Sequence, residues 1–236
     1  MRTRVLEPER MDDPALPAAE HHHALAGLRR INAICMTHRR LLGLVRSLTR
    51  SRPGDSIRVL DLACGSGDAV RYMAGHAAAT GLSWHITGLD RSAVVVDEAR
   101  RLTPASLRDH VSFSVGDALD DLDAHAADIV TCSLFLHHLT DEDVVRLFRG
   151  VYKKARIGFA AQDLVRSRTG YWLARAGTRL LSRSHVVLHD GPQSVRAAWT
   201  VEEMRTLLET SGMGREHTAI MRIFPERMLI RWARHD

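Results

Sequence analysis

Lysine is almost missing from this chain: of 33 basic residues only Lys153 and Lys154 are lysines, and the rest are arginines. Cysteine is scarce as well. Cys35, Cys64 and Cys132 form no C-x-x-C pair and are odd in number, which argues against a disulfide framework and suits reduced thiols in a cytoplasm. No run of about 18 apolar residues occurs, and the N-terminus has no apolar signal core, so neither a membrane partner nor export is expected. Internal repeats and low-complexity stretches are also absent. What is present is a 236-residue chain with 45% hydrophobic residues, enough to bury a sizeable core without a metal or a disulfide. The net charge of +5 raises nucleic acid as a partner. The arginines are scattered rather than packed in one run, so they read as solvated helix faces and no nucleic-acid partner is expected.

The stretch from Val59 to Asp68, Val-Leu-Asp-Leu-Ala-Cys-Gly-Ser-Gly-Asp, organises the rest. It reads as a short apolar strand, a tight turn allowed by small residues, and the start of a helix. Before it, Asp12-Asp13-Pro14 marks a turn or helix start, residues 15–50 have helical spacing, and Pro53-Gly54-Asp55 ends the region. Residues 1–54 are therefore expected to form a helical cap and 55–236 the main domain. Strands are expected over 57–62, 84–89, 111–115, 128–132 and 156–162, with helices between them. Ser92 and Thr140 are candidate N-caps. An insertion over 164–198 interrupts the alternation. It is expected to hold a helix over 171–181 and a loop over 185–194, in which His189-Asp190-Gly191 reads as a turn. Thr200 and Glu203 then open a helix with a capping box, and two stretches joined at Pro225-Glu226 imply an antiparallel hairpin. The fold class that follows is α/β: a Rossmann-like, doubly wound, mainly parallel sheet with an antiparallel C-terminal hairpin.

Ligands of such sheets lie outside the carboxyl ends of the strands. Asp61, Asp90, Asp117 and the stretch from Cys132 to His138 all fall there. A dinucleotide fits poorly, because Val70 stands where the third glycine of G-x-G-x-x-G belongs and Asp61 would repel a pyrophosphate. A ligand with a cationic amino group would instead be attracted.

Over roughly residues 55–163 the sequence resembles the class I S-adenosylmethionine-dependent methyltransferases; its Asp-Leu-Ala-Cys-Gly-Ser-Gly-Asp turn also resembles quinone-biosynthesis C-methyltransferases, and the chain layout, with the His189-Asp190-Gly191 stretch, resembles bacterial methyltransferases of polyketide and phenolic-lipid pathways. Asp61-x-Ala63-x-Gly65-x-Gly67 resembles the family's first motif, with alanine where glycine is commoner. The resemblance implies S-adenosylmethionine as cofactor. It assigns Asp90, 23 residues beyond Gly67, to the ribose hydroxyls, with Arg91 beside it. Gly116, Asp117 and Ala118 would hold the adenine, and Ser133 and Leu134 would wall the methionine part. Arg30, with Arg29 and Asn32, is a candidate for the methionine carboxylate.

The acceptor is expected to be a small aromatic or apolar molecule methylated at oxygen. C-methylation of a quinone precursor, or a non-catalytic cofactor-binding module, remain the alternatives. Removing a phenolic proton calls for a base, and histidine suits that near neutral pH. His137 and His138 after strand four and His189 in the insertion are the candidates, together with Asp163 at the end of strand five. Asp190, Arg196, Tyr171 and Trp172 are candidates for handling the acceptor. No metal site is expected, because no H-x-x-x-H pair is backed by a carboxylate at ligand spacing. The oligomeric state is not legible.

Overall fold

The computed structural model describes every residue except Arg2, Pro14, Pro53, His235 and Asp236, and at Ala18 the backbone alone. The expected turns at Pro14 and Pro53 thus fall in part outside the described residues. Seven strands form one sheet: β1 (Ile57–Leu62), β2 (Trp84–Asp90), β3 (Val111–Val115), β4 (Ile129–Ser133), β5 (Gly158–Leu164), β6 (Thr218–Ile223) and β7 (Arg227–Ala233). Their order is β3-β2-β1-β4-β5-β7-β6. The first five are parallel, and β7 runs antiparallel to both β5 and β6. This is the doubly wound sheet with a terminal hairpin that strand–helix alternation implies.

The helices are α1 (Ala18–Ile34), α2 (Thr37–Thr49), α3 (Asp68–Thr80), α4 (Ala93–Arg101), α5 (Asp141–Lys154), α6 (Arg168–Leu181), α7 (His185–Ala197) and α8 (Val201–Thr210). Several begin as their sequences dictate. Ser92 and Thr140 accept the backbone N–H three residues on, and Thr200 and Glu203 form a full capping box. Apolar side chains fill both faces of the sheet. On one face α5 and α8 supply Val144, Leu147, Phe148, Met204 and Leu208. On the other, α2 and α3 supply Leu41, Val45, Val70 and Met73.

Three sequence expectations change. The helical region before the sheet is two helices, because Met36 adopts a left-handed backbone with φ 50°. α1 then packs against α6 and α7, while α2 turns to pack on the sheet. Strand five lies two residues later than expected, over Gly158–Leu164, so Asp163 falls within the strand rather than after it.

The largest change is in the insertion. Residues 185–194 are not a loop: they lie in α7, and His189-Asp190-Gly191 is helical rather than a turn. The glycine that suggested the turn is overridden by tertiary contacts. A Cβ on Gly191 would come within 2.5 Å of Thr178 Cγ2, so the glycine serves the close approach of α7 to α6. The buried Val186, Val187 and Val195 anchor the helix from inside.

Candidate functional site

The end of β1 leads into a turn with three left-handed residues: Ala63 at φ 51°, Gly65 at φ 53° and Gly67 at φ 77°. An L-residue pays about 1–2 kcal/mol in that region, so Ala63 is held there by its surroundings. Gly67 can only be glycine, since a Cβ would meet the Phe113 ring at 2.6 Å. A Cβ on Gly65 would meet nothing within 4 Å, so this glycine faces open space at the sheet's carboxyl end.

That space is bounded by carboxylates. Asp90 accepts the Gly65 N–H at 2.9 Å and the Ser92 N–H at 3.0 Å. Asp117 accepts the Leu119 N–H at 2.7 Å, and its own N–H is tied to Asp121. Gly116 bonds the backbone of Asp90, and Ala118 is buried beside it. Asp61 is buried, with the Thr131 hydroxyl donating to it at 2.7 Å. Burial pushes its carboxyl up to about 7, against the Thr131 hydrogen bond and with the charge of Asp90 adding to the rise. At the end of β4, Ser133 accepts from Gln162 and Leu134 turns left-handed at φ 56°.

Beyond β4, His137 is buried, and its Nδ1–H donates to Asp163 Oδ1 at 2.6 Å. Asp163 also accepts the backbone N–H groups of His137 and Leu164, so its oxygens are occupied within the protein. Burial alone would lower the His137 pKa, but the carboxylates of Asp163 and Glu9 outweigh it and raise it to about 10. His138 keeps 29% of its side chain exposed and faces Glu9 and Asp12.

Glu9 and Asp12 belong to a feature that sequence reading missed. Residues 4–12 lie as a strap across the site. The Arg4 guanidinium stacks on Trp199, 3.6 Å from the ring centroid, and donates to the carbonyls of Ala197, His137 and Leu139. Gln193 donates to the carbonyls of Glu7 and Pro8. Ser194 hydrogen-bonds Glu9, and Asp190 accepts the N–H groups of Arg10 and Met11 at 3.1 and 3.0 Å. Arg91 pairs with Asp12 at 3.3 Å, which ends the strap beside Asp90. The sequence signal was faint: a polar segment without periodicity, whose partners are all distant in the chain.

Other candidates lie elsewhere. Arg30 donates to the Leu181 carbonyl at the end of α6, so its Nε is engaged there. Trp172 is 64% exposed and packs edge-on with Tyr171, so it points to solvent rather than into an apolar pocket. His189 bonds Asp190 at 2.8 Å, and Arg196 lies 3.7 Å from Glu7. Arg40 and Arg227, which sequence reading passed over, present buried nitrogens without a hydrogen-bond partner: Arg40 Nη1 and Arg227 Nε and Nη1. Gln162 Oε1 is orphaned nearby, on the strand next to β7. Buried polar groups of this kind call for a ligand that completes them.

The open face of Gly65, the fixed Asp90 carboxylate and the buried Asp61 fit a ligand that carries hydroxyls and an amino group, as S-adenosylmethionine does. Among the described residues no helix is long and apolar enough to cross a membrane.

Comparisons with known proteins agree with this geometry. Residues 59–158 match the profile of the methyltransferase-domain family. No curated protein sequence matches the chain. Among solved structures, the chain is similar to the plantazolicin methyltransferase BpumL in complex with a triazolic desmethylPZN analog and SAH, at 14% identity and a TM-score of 0.65, over 92% of this chain and 97% of that one. It is similar to the plantazolicin methyltransferase BamL at 18% identity and a TM-score of 0.61, over 83% and 70% of the two chains. It is also similar to the magnesium protoporphyrin IX methyltransferase of Synechocystis PCC 6803 with bound SAM, at 15% identity and a TM-score of 0.56, over 96% and 88%. Residues 59–158 are thus similar to a methyltransferase domain, and the sheet with its glycine turn has the fold of these SAM- and SAH-bound neighbours.

Proposed function

We propose that the chain methylates an oxygen of a small aromatic or largely apolar metabolite, in cytoplasmic secondary metabolism. The cofactor, when bound, supplies an electrophilic methyl group on a sulfonium and leaves as a thioether. In this reading Asp90 holds the ribose hydroxyls, with Arg91 at its side, and Gly116, Asp117 and Ala118 hold the adenine. Asp61 attracts the amino group, and Ala63, Gly65 and Gly67 cradle the chain between them. Ser133 and Leu134 form the wall beside it, and Arg30, or the buried pair Arg40 and Arg227, holds the carboxylate.

The observation that carries oxygen as the acceptor atom is the cluster of His137, His138, Glu9 and Asp163 at the ends of β4 and β5, one strand from Asp61. A phenol must lose its proton as the new O–C bond forms and the S–C bond breaks, and His138, the partly exposed histidine of this cluster, offers a proton-accepting nitrogen at the right end of the sheet. Its half-exposed edge at His138 is where the hydroxyl would present itself. Asp163 then acts as a positioning residue for His137. Asp190 and Arg196 act on the acceptor indirectly, by fastening the strap, and His189 supports Asp190. The strap, α1, α6 and α7 together form the acceptor cover over the methyltransferase domain, with Tyr171 on its outer helix. Three unpaired thiols support the cytoplasmic setting.

The test is turnover of a panel of phenols and other hydroxylated aromatics with S-adenosylmethionine, with mass spectrometry of the product. A new O-methyl group is expected. A methyl on carbon would remove the oxygen reading, and cofactor binding without turnover across the panel would favour a binding module.

A further inference from the structure

The fold brings together a ligand set that the sequence keeps far apart. Glu9 Oε1 lies 3.7 Å from His137 Nε2, and Glu9 Oε2 lies 3.9 Å from His138 Nε2. Three candidate ligand atoms, one from each residue, fall within 4.8 Å of one another. A tetrahedral ion with bonds near 2.0–2.1 Å spaces its ligand atoms about 3.3 Å apart. The two contacts use different oxygens of Glu9 and would each have to close by roughly half an ångström, and the widest pair of ligand atoms by up to about 1.5 Å, which side-chain rotation can supply.

The orientation of the rings is more telling than the distances. Each histidine has a carboxylate at its far nitrogen: Asp163 at 2.6 Å from His137 Nδ1, and Asp12 at 3.5 Å from His138 Nδ1. Imidazoles that bind metals are almost always backed in this way, because the far hydrogen bond selects the tautomer and aims the near lone pair. Here both near nitrogens, the Nε2 atoms, face Glu9. His137 is buried and Glu9 nearly so, while His138 leaves one side open. Two imidazoles and one carboxylate with an open position make the ligand set of a reactive zinc-type centre rather than a closed structural one.

We propose that Glu9, His137 and His138 bind a divalent transition-metal ion of the zinc class, with Asp163 and Asp12 orienting the two imidazoles. Without the ion, a proton shared by His137 with Asp163 and Glu9 holds the cluster together, and the metal replaces it. The strap then carries one of the three ligands, so binding fastens residues 4–12 over the site. An acceptor hydroxyl entering the open position would ionise more readily, its proton passing to solvent. That use rests on the proposed acceptor chemistry; the metal site itself does not.

The experiment is titration of the metal-depleted full chain with Zn²⁺ by calorimetry and with Co²⁺ by visible absorption. It is run in parallel on a chain carrying His21→Gln, His22→Gln and His23→Gln, so that ions taken up by this histidine run are not counted. One equivalent is expected to remain in the triple variant, with the intense visible bands of tetrahedral Co²⁺. Glu9→Gln and His138→Ala should abolish that equivalent, and Asp163→Asn should weaken it roughly 10- to 100-fold. Circular dichroism checks that each variant is folded, and His138, being partly exposed, is the one least able to disturb the core. No binding in the triple variant, or binding that survives His138→Ala, would overturn the proposal and leave the cluster a proton-bridged ion group. Turnover of acceptors is scored separately, so metal bound without turnover sinks the acceptor reading and leaves the metal site standing.

Discussion

Gly65 donates its backbone N–H to Asp90 at 2.9 Å, which makes the turn after β1 and the carboxylate that ends β2 one rigid unit. The other oxygen of Asp90 is held by the Ser92 N–H, so the carboxylate is aimed before any ligand arrives. Asp90→Ala should therefore weaken cofactor binding by about 1.5–3 kcal/mol, the range for hydrogen bonds to a charged group, or roughly 10- to 150-fold in Kd. Calorimetry with S-adenosylhomocysteine measures this. An unchanged Kd would reject the ribose assignment.

Asp61 gives a pH dependence with a definite sign. Its folded pKa of about 7 lies above the ordinary carboxylate value, so the ligand-free protein favours the protonated form. The stability associated with that proton is fully present below about pH 4 and is lost as pH rises through 7. A cationic amino group prefers the ionised form. Cofactor affinity should thus increase between pH 6 and pH 8, and cofactor should raise the Tm more at pH 8 than at pH 6. Asp61→Asn should flatten both trends; a slope that survives in the variant would assign the titration to another group.

What the sequence made legible was local. The turn from Asp61 to Asp68 needs small residues wherever the chain bends, and Thr200, Glu203 and Ser92 sit where helices begin, so these features can be read from neighbours in the chain. The terminal hairpin follows from the short link at Pro225-Glu226. What stayed hidden depends on distant partners. The strap has no periodicity of its own and is ordered by Asp190, Gln193 and Ser194, far along the chain. His189-Asp190-Gly191 looked like a turn because punctuation rules see only the backbone, whereas the glycine answers to Thr178 in another helix. Arg40 and Arg227 looked like two arginines among many, and only burial without a partner singles them out.

The strap predicts a split between acceptor and cofactor binding. Asp190 accepts two backbone N–H groups of the strap, from Arg10 and Met11. Asp190→Ala removes both, each a charge-assisted bond worth about 1.5–3 kcal/mol at most. Amide hydrogen exchange over residues 4–12 should quicken, and the KM for the acceptor should rise while cofactor affinity stays within about twofold. Equal losses in both would mean that the strap acts on the whole fold rather than on the acceptor cover.

Gly191→Ala sets two effects against each other. In a helix interior alanine is favoured over glycine by about 1 kcal/mol, so propensity alone predicts a more stable protein. The added Cβ would stand 2.5 Å from Thr178 Cγ2, and Thr178 is buried between α6 and α7 with little room to move. Overpacking of this kind costs about 1–3 kcal/mol, which exceeds the gain. A net loss of about 1 kcal/mol is expected from urea unfolding. Thr178→Ser removes the offending methyl and keeps the hydroxyl that donates to the Arg175 carbonyl. The double variant Gly191→Ala/Thr178→Ser should therefore recover the loss, and with the propensity gain it should equal or exceed the wild type. If Gly191→Ala alone proves as stable as the wild type, the close approach of α6 and α7 is not what requires glycine at this position.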